Sequence, residues 1–170
     1  MDFGKVKKIY VGLIVVLLSV YFSSCKKEVI LPKTVNIKSV TVQNFPESNS
    51  VGNSWDGSLQ GSYPDVYFEI RDINSKILYT HSSSLRKENM RKADLPFTWT
   101  ASNNFASFSN LDQGISISLY DFESLTADEF MGGVKTNTTF KSLVEKGDLP
   151  KEMVLSFGEY SFKLGLEWVF

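Results

Sequence analysis

The sequence is poor in the residues on which disulfide frameworks, zinc sites and imidazole relays depend. Its 170 residues contain one cysteine and one histidine, so no internal disulfide can form and there is little scope for a zinc site. The formal net charge of −1 excludes the strongly basic character of a nucleic-acid-binding domain. No uncharged apolar run reaches the roughly 20 residues that a transmembrane helix needs. What the chain does have is 42% hydrophobic and 14% aromatic residues, enough for one ordinary folded domain.

The first 25 residues have the pattern of a targeting segment rather than of a folded domain. A lysine-rich start (residues 5–8) precedes an uncharged apolar run (residues 9–22), and the run ends in Ser23-Ser24-Cys25. This pattern resembles the signal peptide and lipobox of bacterial lipoproteins, which are cleaved before a cysteine whose sulfur then carries a diacylglyceryl group. The alternative interpretation of Cys25 is a buried free thiol.

The lipoprotein resemblance implies three segments. Residues 1–24 would be a signal peptide, residues 25–33 a lipidated Cys25 with a short tether, and residues 34–170 the folded domain. Two or three acyl chains on one cysteine hold a protein durably to a bilayer. We therefore expect a protein of the bacterial cell envelope, anchored to the outer membrane and either periplasmic or surface-exposed.

From Thr34 onward, apolar residues recur with a period of two, which predicts β-strands with one buried and one wet face. Val35 and Ile37 alternate in one phase, and Val40 and Val42 alternate in the other. This change of phase predicts a strand with a bulge near Ser39.

The same alternation marks residues 66–70, 115–119 and 160–170. The one predicted helix is short, from Phe140 to Lys146, with Thr139 as its cap and Gly147 at its end. About eight strands without a βαβ rhythm predict an all-β fold, a β-sandwich of two packed antiparallel sheets forming a single domain.

Two segments contain sequence motifs in addition to the alternation of apolar residues. One is Gly61-Ser62-Tyr63-Pro64-Asp65-Val66, and the other runs from Asp121-Phe122-Glu123 to Asp128-Glu129-Phe130-Met131-Gly132. Both resemble motifs of C2 domains. The resemblance implies an eight-stranded antiparallel Greek-key β-sandwich whose loops gather carboxylates around calcium at one end and touch phospholipid headgroups.

Matched to that pattern, the carboxylates that the resemblance implies as calcium ligands are Asp56, Asp65, Asp121, Glu123, Asp128 and Glu129. Calcium takes six to eight oxygen ligands, and a cation relieves the repulsion among crowded carboxylates. Asp56 joins the set only if the loop after Trp55 folds back, because Leu59 occupies the place of the family's leading aspartate. The alternative is that these acids organise loops, as they do in C2-like domains that bind no ion and act as interaction scaffolds.

A cluster of cations follows in the connection after the strand at Ile77: Arg86, Lys87, Arg91 and Lys92. In C2 domains a basic patch can contact anionic lipid or another anion. The alternative, which we favour, is a solvated connection between two strands. Trp55 and Tyr63 near the same loops are either membrane- or ligand-contacting groups or parts of the core.

No reaction can be read from the sequence, and the one histidine, His81, lies in a polar tract typical of a loop. We expect a non-enzymatic binding module, with or without calcium, whose partner is a phospholipid, protein or glycan surface and not a nucleic acid. Two other functions stay open. One is a carbohydrate-binding or nutrient-uptake accessory lipoprotein that stacks sugars on exposed Trp55 and Tyr63. The other is a scaffold subunit that docks a strand edge onto a larger envelope assembly.

Overall fold

The computed structural model describes residues 30–49, 51–55, 63–80, 85–124, 127–136 and 138–170, so the targeting segment and Cys25 lie outside the described residues. The described residues from Leu31 to Phe170 belong to one compact unit. In chain order its elements are β1 (Thr34–Asn44), β2 (Val66–Asp72), β3 (Ile77–Thr80), a 3₁₀ turn (Lys92–Asp94), β4 (Phe97–Thr100), β5 (Ala106–Phe108), β6 (Ile115–Asp121), β7 (Glu129–Lys135), α1 (Phe140–Glu145), β8 (Glu152–Phe157) and β9 (Tyr160–Val169).

The described helices include none that is both long enough and apolar enough to span a membrane.

The strands form two antiparallel sheets. One has the order β4-β1-β9-β8, with β5 also paired to β1, and the other has the order β3-β2-β6-β7. The predicted all-β, two-sheet antiparallel Greek-key sandwich is thus confirmed. The described strands number nine rather than about eight, because β4 and β5 are two short strands that share one edge of β1.

The bulge predicted in β1 is present. Ile37 lies opposite Leu166 and Ser39 opposite Gly165, so Lys38 is the extra residue between them. One extra residue reverses the alternation of inward and outward side chains. As a result, the valine and isoleucine side chains on both sides of the bulge are fully buried on the same inner face.

The core lies between the two sheets and is filled by the alternating side chains of four central strands. Aromatic rings add to it at one side, where Phe68 contacts the rings of Trp99 and Phe105 at centroid distances of 5.0 and 5.1 Å. The fully or almost fully buried apolar residues of the central strands are Val35, Ile37, Val40, Val42, Val66, Phe68, Ile70, Ile115, Ile117, Leu119, Phe162, Leu164 and Leu166.

Because each sheet is antiparallel, the connections fall at two ends of the sandwich. We call one end the loop pole; it carries the described residues of the connections 45–65, 81–96 and 122–128 and the turn at 158–159. The other end is the tether pole, where residues 31–33 lead into β1 and where α1 lies. The acidic motifs of the sequence therefore belong to the pole opposite the start of β1.

Candidate functional site at the loop pole

Asp65 and Asp121 come from connections that are distant in the chain, yet they meet at the loop pole. Asp65 directly precedes β2, and Asp121 is the last residue of β6, where it lies opposite Val66 in the ladder. The backbone N–H of Asp65 donates to Oδ1 of Asp121 at 2.7 Å, and the N–H of Phe122 donates to the carbonyl of Asp65 at 2.9 Å. Asp121 is fully buried, so this contact closes the rim of the sheet.

Arg86 supplies the cation at this rim. Its Nε donates to Oδ2 of Asp65 at 3.0 Å, and its terminal Nη2 donates to Oε1 of Glu88 at 3.0 Å. The guanidinium also lies over the ring of Phe122, 4.5 Å from the ring centroid. A guanidinium presents several donors in one plane and stacks on aromatic faces, so one side chain bridges three parts of the loop pole.

The segment after Arg86 is held against the start of β2 by backbone hydrogen bonds. Lys87 exchanges two of them with Val66, at 2.7 and 2.8 Å, and the N–H of Met90 donates to the carbonyl of Pro64. The N–H of Asn89 donates to Oδ1 of Asp65 at 2.9 Å. Arg86 and the segment after it therefore each donate a hydrogen bond to one carboxylate oxygen of Asp65.

Asp128 closes the connection 122–128. Its Oδ1 accepts a hydrogen bond from the N–H of Glu123 at 3.0 Å, and its Oδ2 accepts one from the hydroxyl of Tyr67 at 2.8 Å. Burial, and after it the hydrogen bond to Asp128, raises the pKa of Tyr67 above its ordinary value, so the hydroxyl stays protonated as a donor. The loop-organising interpretation of Asp128 accounts for these contacts.

Glu129 lies opposite Asp121 in the ladder formed by β6 and β7. Glu129 also lines a groove at the start of β7. The groove has a volume of about 580 Å³ and lies between the start of β7, the turn at 158–159 and the loop after β1. Phe130 is its most exposed aromatic side chain, with 58% of the residue accessible. The other residues that line it are Pro46, Ser48, Asn49, Val51, Trp55, Met131, Glu159 and Tyr160.

The described carboxylates do not fit a calcium ion in this arrangement. Within the described ranges, no group of three or more acidic, histidine or cysteine residues is placed so that it could hold a metal ion. Asp65 and Asp128 each give both carboxylate oxygens to donors of the chain itself, whereas calcium needs six to eight oxygen ligands. Asp56 lies outside the described residues, so a ligand set that includes it stays a prediction.

The four cations predicted as an anion or lipid contact have different surroundings. Arg86 pairs with Asp65 as described, and Lys87 lies at the backbone bridge to Val66. Arg91 lies over the ring of Tyr63 at 5.3 Å, and its Nε is 3.5 Å from Asp94. Lys92 is 4.0 Å from Glu159. Three of the four thus lie within 4.0 Å of an acidic side chain.

Of the two alternatives for Trp55, the structure fits a ring that is part of the core and not an exposed, ligand-stacking ring. Only 5% of the residue is accessible, and its Nε1 donates to the carbonyl of Pro46 at 3.0 Å. The indole therefore belongs to the core side of the loop pole, where its N–H has a fixed partner. Tyr63 is exposed, and its ring contacts Arg91.

The sequence patterns did not indicate a buried polar cluster on β2, β3 and β6. Alternation placed Tyr67 and Glu69 on a wet face, but Glu69 is only 6% accessible and Tyr67 stacks on Tyr120 with ring centroids 5.2 Å apart. Glu69 pairs with Arg71 and accepts from the hydroxyl of Thr80 at 3.1 Å. The hydrogen bond to Glu69 raises the pKa of Arg71. No local signal marks this cluster, because its members come from three strands.

Neither a protein-family model nor a curated protein matches this chain. Among solved structures, it is similar to the first C2 domain (domain A) of a plant extended synaptotagmin 1, with 17% identity, 82% of this chain and 96% of that chain covered, and a TM-score of 0.41. It is also similar to the paired C2 domains, A and B, of extended synaptotagmin 2. The identity is 16%, the match covers 86% of this chain and 44% of that chain, and the TM-score is 0.38. A third neighbour is the human GIVD cytosolic phospholipase A2. The identity is 18%, the match covers 80% of this chain and 16% of that chain, and the TM-score is 0.34. Identities and TM-scores this low do not assign the chain to a family.

Proposed function

We propose that this chain is a lipid-anchored, non-catalytic binding module of a bacterial cell envelope. In this proposal Cys25 carries the lipid, and the C2-like sandwich presents its loop pole to a partner surface. The support for the anchor is the lysine-rich, apolar segment that ends at Cys25. The outer membrane is the proposed location.

One observation carries the proposed orientation: the chain enters the sandwich at the pole opposite the loops. β1 has 11 residues and so spans about 35 Å from the tether pole to the loop pole. The segment from Cys25 to Thr34 reaches at most about 30 Å when fully extended. A domain standing on such a tether holds its loop pole away from the anchoring bilayer, where it can meet a second surface.

The chemistry of the tether pole supports the same orientation. Leu31, Val169 and Phe170 are apolar and exposed there, and the N–H of Lys33 donates to the carbonyl of Val169 at 2.7 Å. A largely apolar groove of about 520 Å³ lies beside Leu31, between the tether and α1. Exposed apolar surface of this kind is typical of a contact with a membrane or a protein.

The loop pole has the mixed character of a recognition surface. Its groove combines the exposed ring of Phe130 with amide and carboxylate groups from Asn49, Glu129 and Glu159. Aromatic side chains within a polar surround are the usual anchors of protein interfaces. We therefore propose a protein surface as the first partner class.

The anchor is tested by changing Cys25→Ser in the full-length chain. We expect loss of metabolic labelling by a fatty acid and release from the membrane fraction, because no sulfur remains to carry the acyl chain. Lys27→Ala is the matched control and keeps both properties. Membrane retention of the Cys25→Ser protein without label would contradict the lipid anchor.

The orientation is tested by placing a photo-crosslinking amino acid at Phe130 or, as the matched control, at Phe170, in the bacterium that makes the protein. We expect a discrete protein adduct from the loop-pole site and not from the tether-pole site. Adducts from Phe170 alone would contradict the proposed binding face.

A carbohydrate partner is the second candidate, and one observation favours it. The groove beside Phe130 presents an exposed aromatic face next to the side chains of Asn49 and Glu129, a combination that can stack on and hydrogen-bond a sugar. Signal on a glycan array that is lost in Phe130→Ala and kept in Phe170→Ala would select this candidate over a protein partner.

A further inference from the structure

The loop pole contains a cation of its own at the place where the sequence predicts an ion. Arg86 contacts Asp65 and Glu88 at 3.0 Å each and lies over Phe122. Through these contacts it joins the start of β2, the connection 81–96 and the connection that follows β6. A calcium ion in the arrangement predicted from the sequence would hold together two of these three segments, the start of β2 and the connection that follows β6.

The carboxylate of Asp65 is the centre of this arrangement. Oδ2 accepts from Arg86, Oδ1 accepts from the N–H of Asn89 at 2.9 Å, and the N–H of Asp65 itself donates to Asp121 at 2.7 Å. A calcium ion bound by Asp65 would have to displace the guanidinium or lie beside it. Both are costly, because the first breaks a charge-assisted hydrogen bond and the second brings a divalent and a monovalent cation within a few ångströms.

We propose that Arg86 is the permanent cation of the loop pole and that it makes the assembly of these loops independent of calcium. The side chains of Arg86 and Asp65 are each only 25% accessible, so solvent screens the pair less than it screens a surface ion pair. The stacking on Phe122 fixes the plane of the guanidinium while it pairs with the carboxylates. The loop pole would then present the same surface whether or not calcium is available.

The first test is thermal unfolding of the full-length chain in detergent micelles, with millimolar calcium or with excess chelator. We expect the same melting temperature in both. Saturating binding of calcium to the folded state alone would raise the melting temperature, because ligand binding stabilises by mass action. Such a rise would overturn the proposal, while leaving the proposed anchor and binding face untouched.

The second test compares Arg86→Gln with Arg91→Gln, a matched arginine of the same connection that pairs with Asp94 in a more exposed setting. We expect a drop in melting temperature of about 5 °C for Arg86→Gln, and a drop of less than about 2 °C for Arg91→Gln. Equal drops would mean that Arg86 is an ordinary surface cation and would overturn the proposal.

A third variant keeps the test decisive if Arg86→Gln fails to fold. Arg86→Lys retains the positive charge but loses the planar, two-sided contact. We therefore expect its melting temperature to lie below that of the wild type and above that of the double variant Asp65→Asn/Arg86→Lys. We also expect the double variant to melt close to Asp65→Asn alone, because the two changes remove one shared interaction. Additive losses would show that the residues act independently and would overturn the proposal.

Discussion

At the scale of single residues, Gly132 shows how a backbone position can depend on its neighbours. β7 carries a bulge at Met131, since Leu119 lies opposite Gly132 and Tyr120 lies opposite Phe130. Gly132 has a φ of 145°, and a Cβ there would lie 2.4 Å from the ring of Tyr160. The hydroxyl of Tyr160 donates to the carbonyl of Met131, so the ring cannot move without breaking the bond at the bulge. A glycine is therefore required by both the backbone and the packing.

We predict that Gly132→Ala lowers the free energy of unfolding by about 3 kcal/mol or more, because it adds a steric clash to backbone strain. Gly52→Ala is the control. Gly52 also has a positive φ, 83°, but a Cβ there would meet nothing within 4 Å. We expect it to cost about 1 to 2 kcal/mol from the backbone alone. Urea denaturation of both variants measures the difference, and equal losses would contradict the role of Tyr160.

At the scale of elements, the short helix α1 depends on its cap. Its first turn leaves N–H groups without helical partners, and Oγ1 of Thr139 accepts one of them, from Ser142, at 3.2 Å. The helix packs Phe140 against Phe108, with ring centroids 5.0 Å apart. A helix of six residues is too short to be stable by itself, so the cap and this one buried ring account for its presence.

We predict that Thr139→Ala lowers the free energy of unfolding by about 1 kcal/mol, since it removes the oxygen that caps the helix. The neighbouring Thr138→Ala should change it by less than about 0.5 kcal/mol, because Thr138 is exposed. Chemical denaturation at neutral pH is the measurement. A loss in Thr138→Ala as large as that in Thr139→Ala would show that the hydroxyl of the cap is not the cause.

At the scale of the whole domain, packing of the two sheets buries part of the side chain of several tyrosines. Burial is the largest cause that raises the pKa values of Tyr67, Tyr79 and Tyr160 above the ordinary value of 10.0. In the folded state these hydroxyls hold their protons at a pH at which the unfolded chain releases them. The contribution of these protons to stability is complete below about pH 10 and is lost as the pH rises toward the folded-state values.

We therefore predict that the free energy of unfolding falls steadily above about pH 10. Each fully shifted tyrosine contributes a slope of up to about 1.4 kcal/mol per pH unit. Tyr67→Phe should make the decline shallower, because it removes the group with the largest such shift. Denaturant unfolding of both proteins between about pH 9 and pH 11 is the measurement. An unchanged slope in Tyr67→Phe would contradict the assignment to Tyr67.

The period-two patterns predicted much of the fold correctly, because an alternating strand has only one face it can bury. The reversal of phase in β1 located its bulge, and a threonine and a glycine at the correct spacing predicted α1 to within one residue. The convergence of Asp65 and Asp121 was also expected, because the resemblance of two segments to C2 motifs implies it. The anchor at Cys25 and a calcium ligand set that includes Asp56 stay predictions.

Local sequence patterns are therefore sufficient to predict the class of fold and the placing of acidic groups at strand ends. Those properties follow from local periodicity and capping, which neighbouring residues express without help from the rest of the chain. The burial of Trp55 and Glu69 and the pairing of Arg86 with Asp65 depend on tertiary contacts. These contacts join segments far apart in the chain, and their energies depend on burial and on the distance between charges, which exist only once the two sheets have packed.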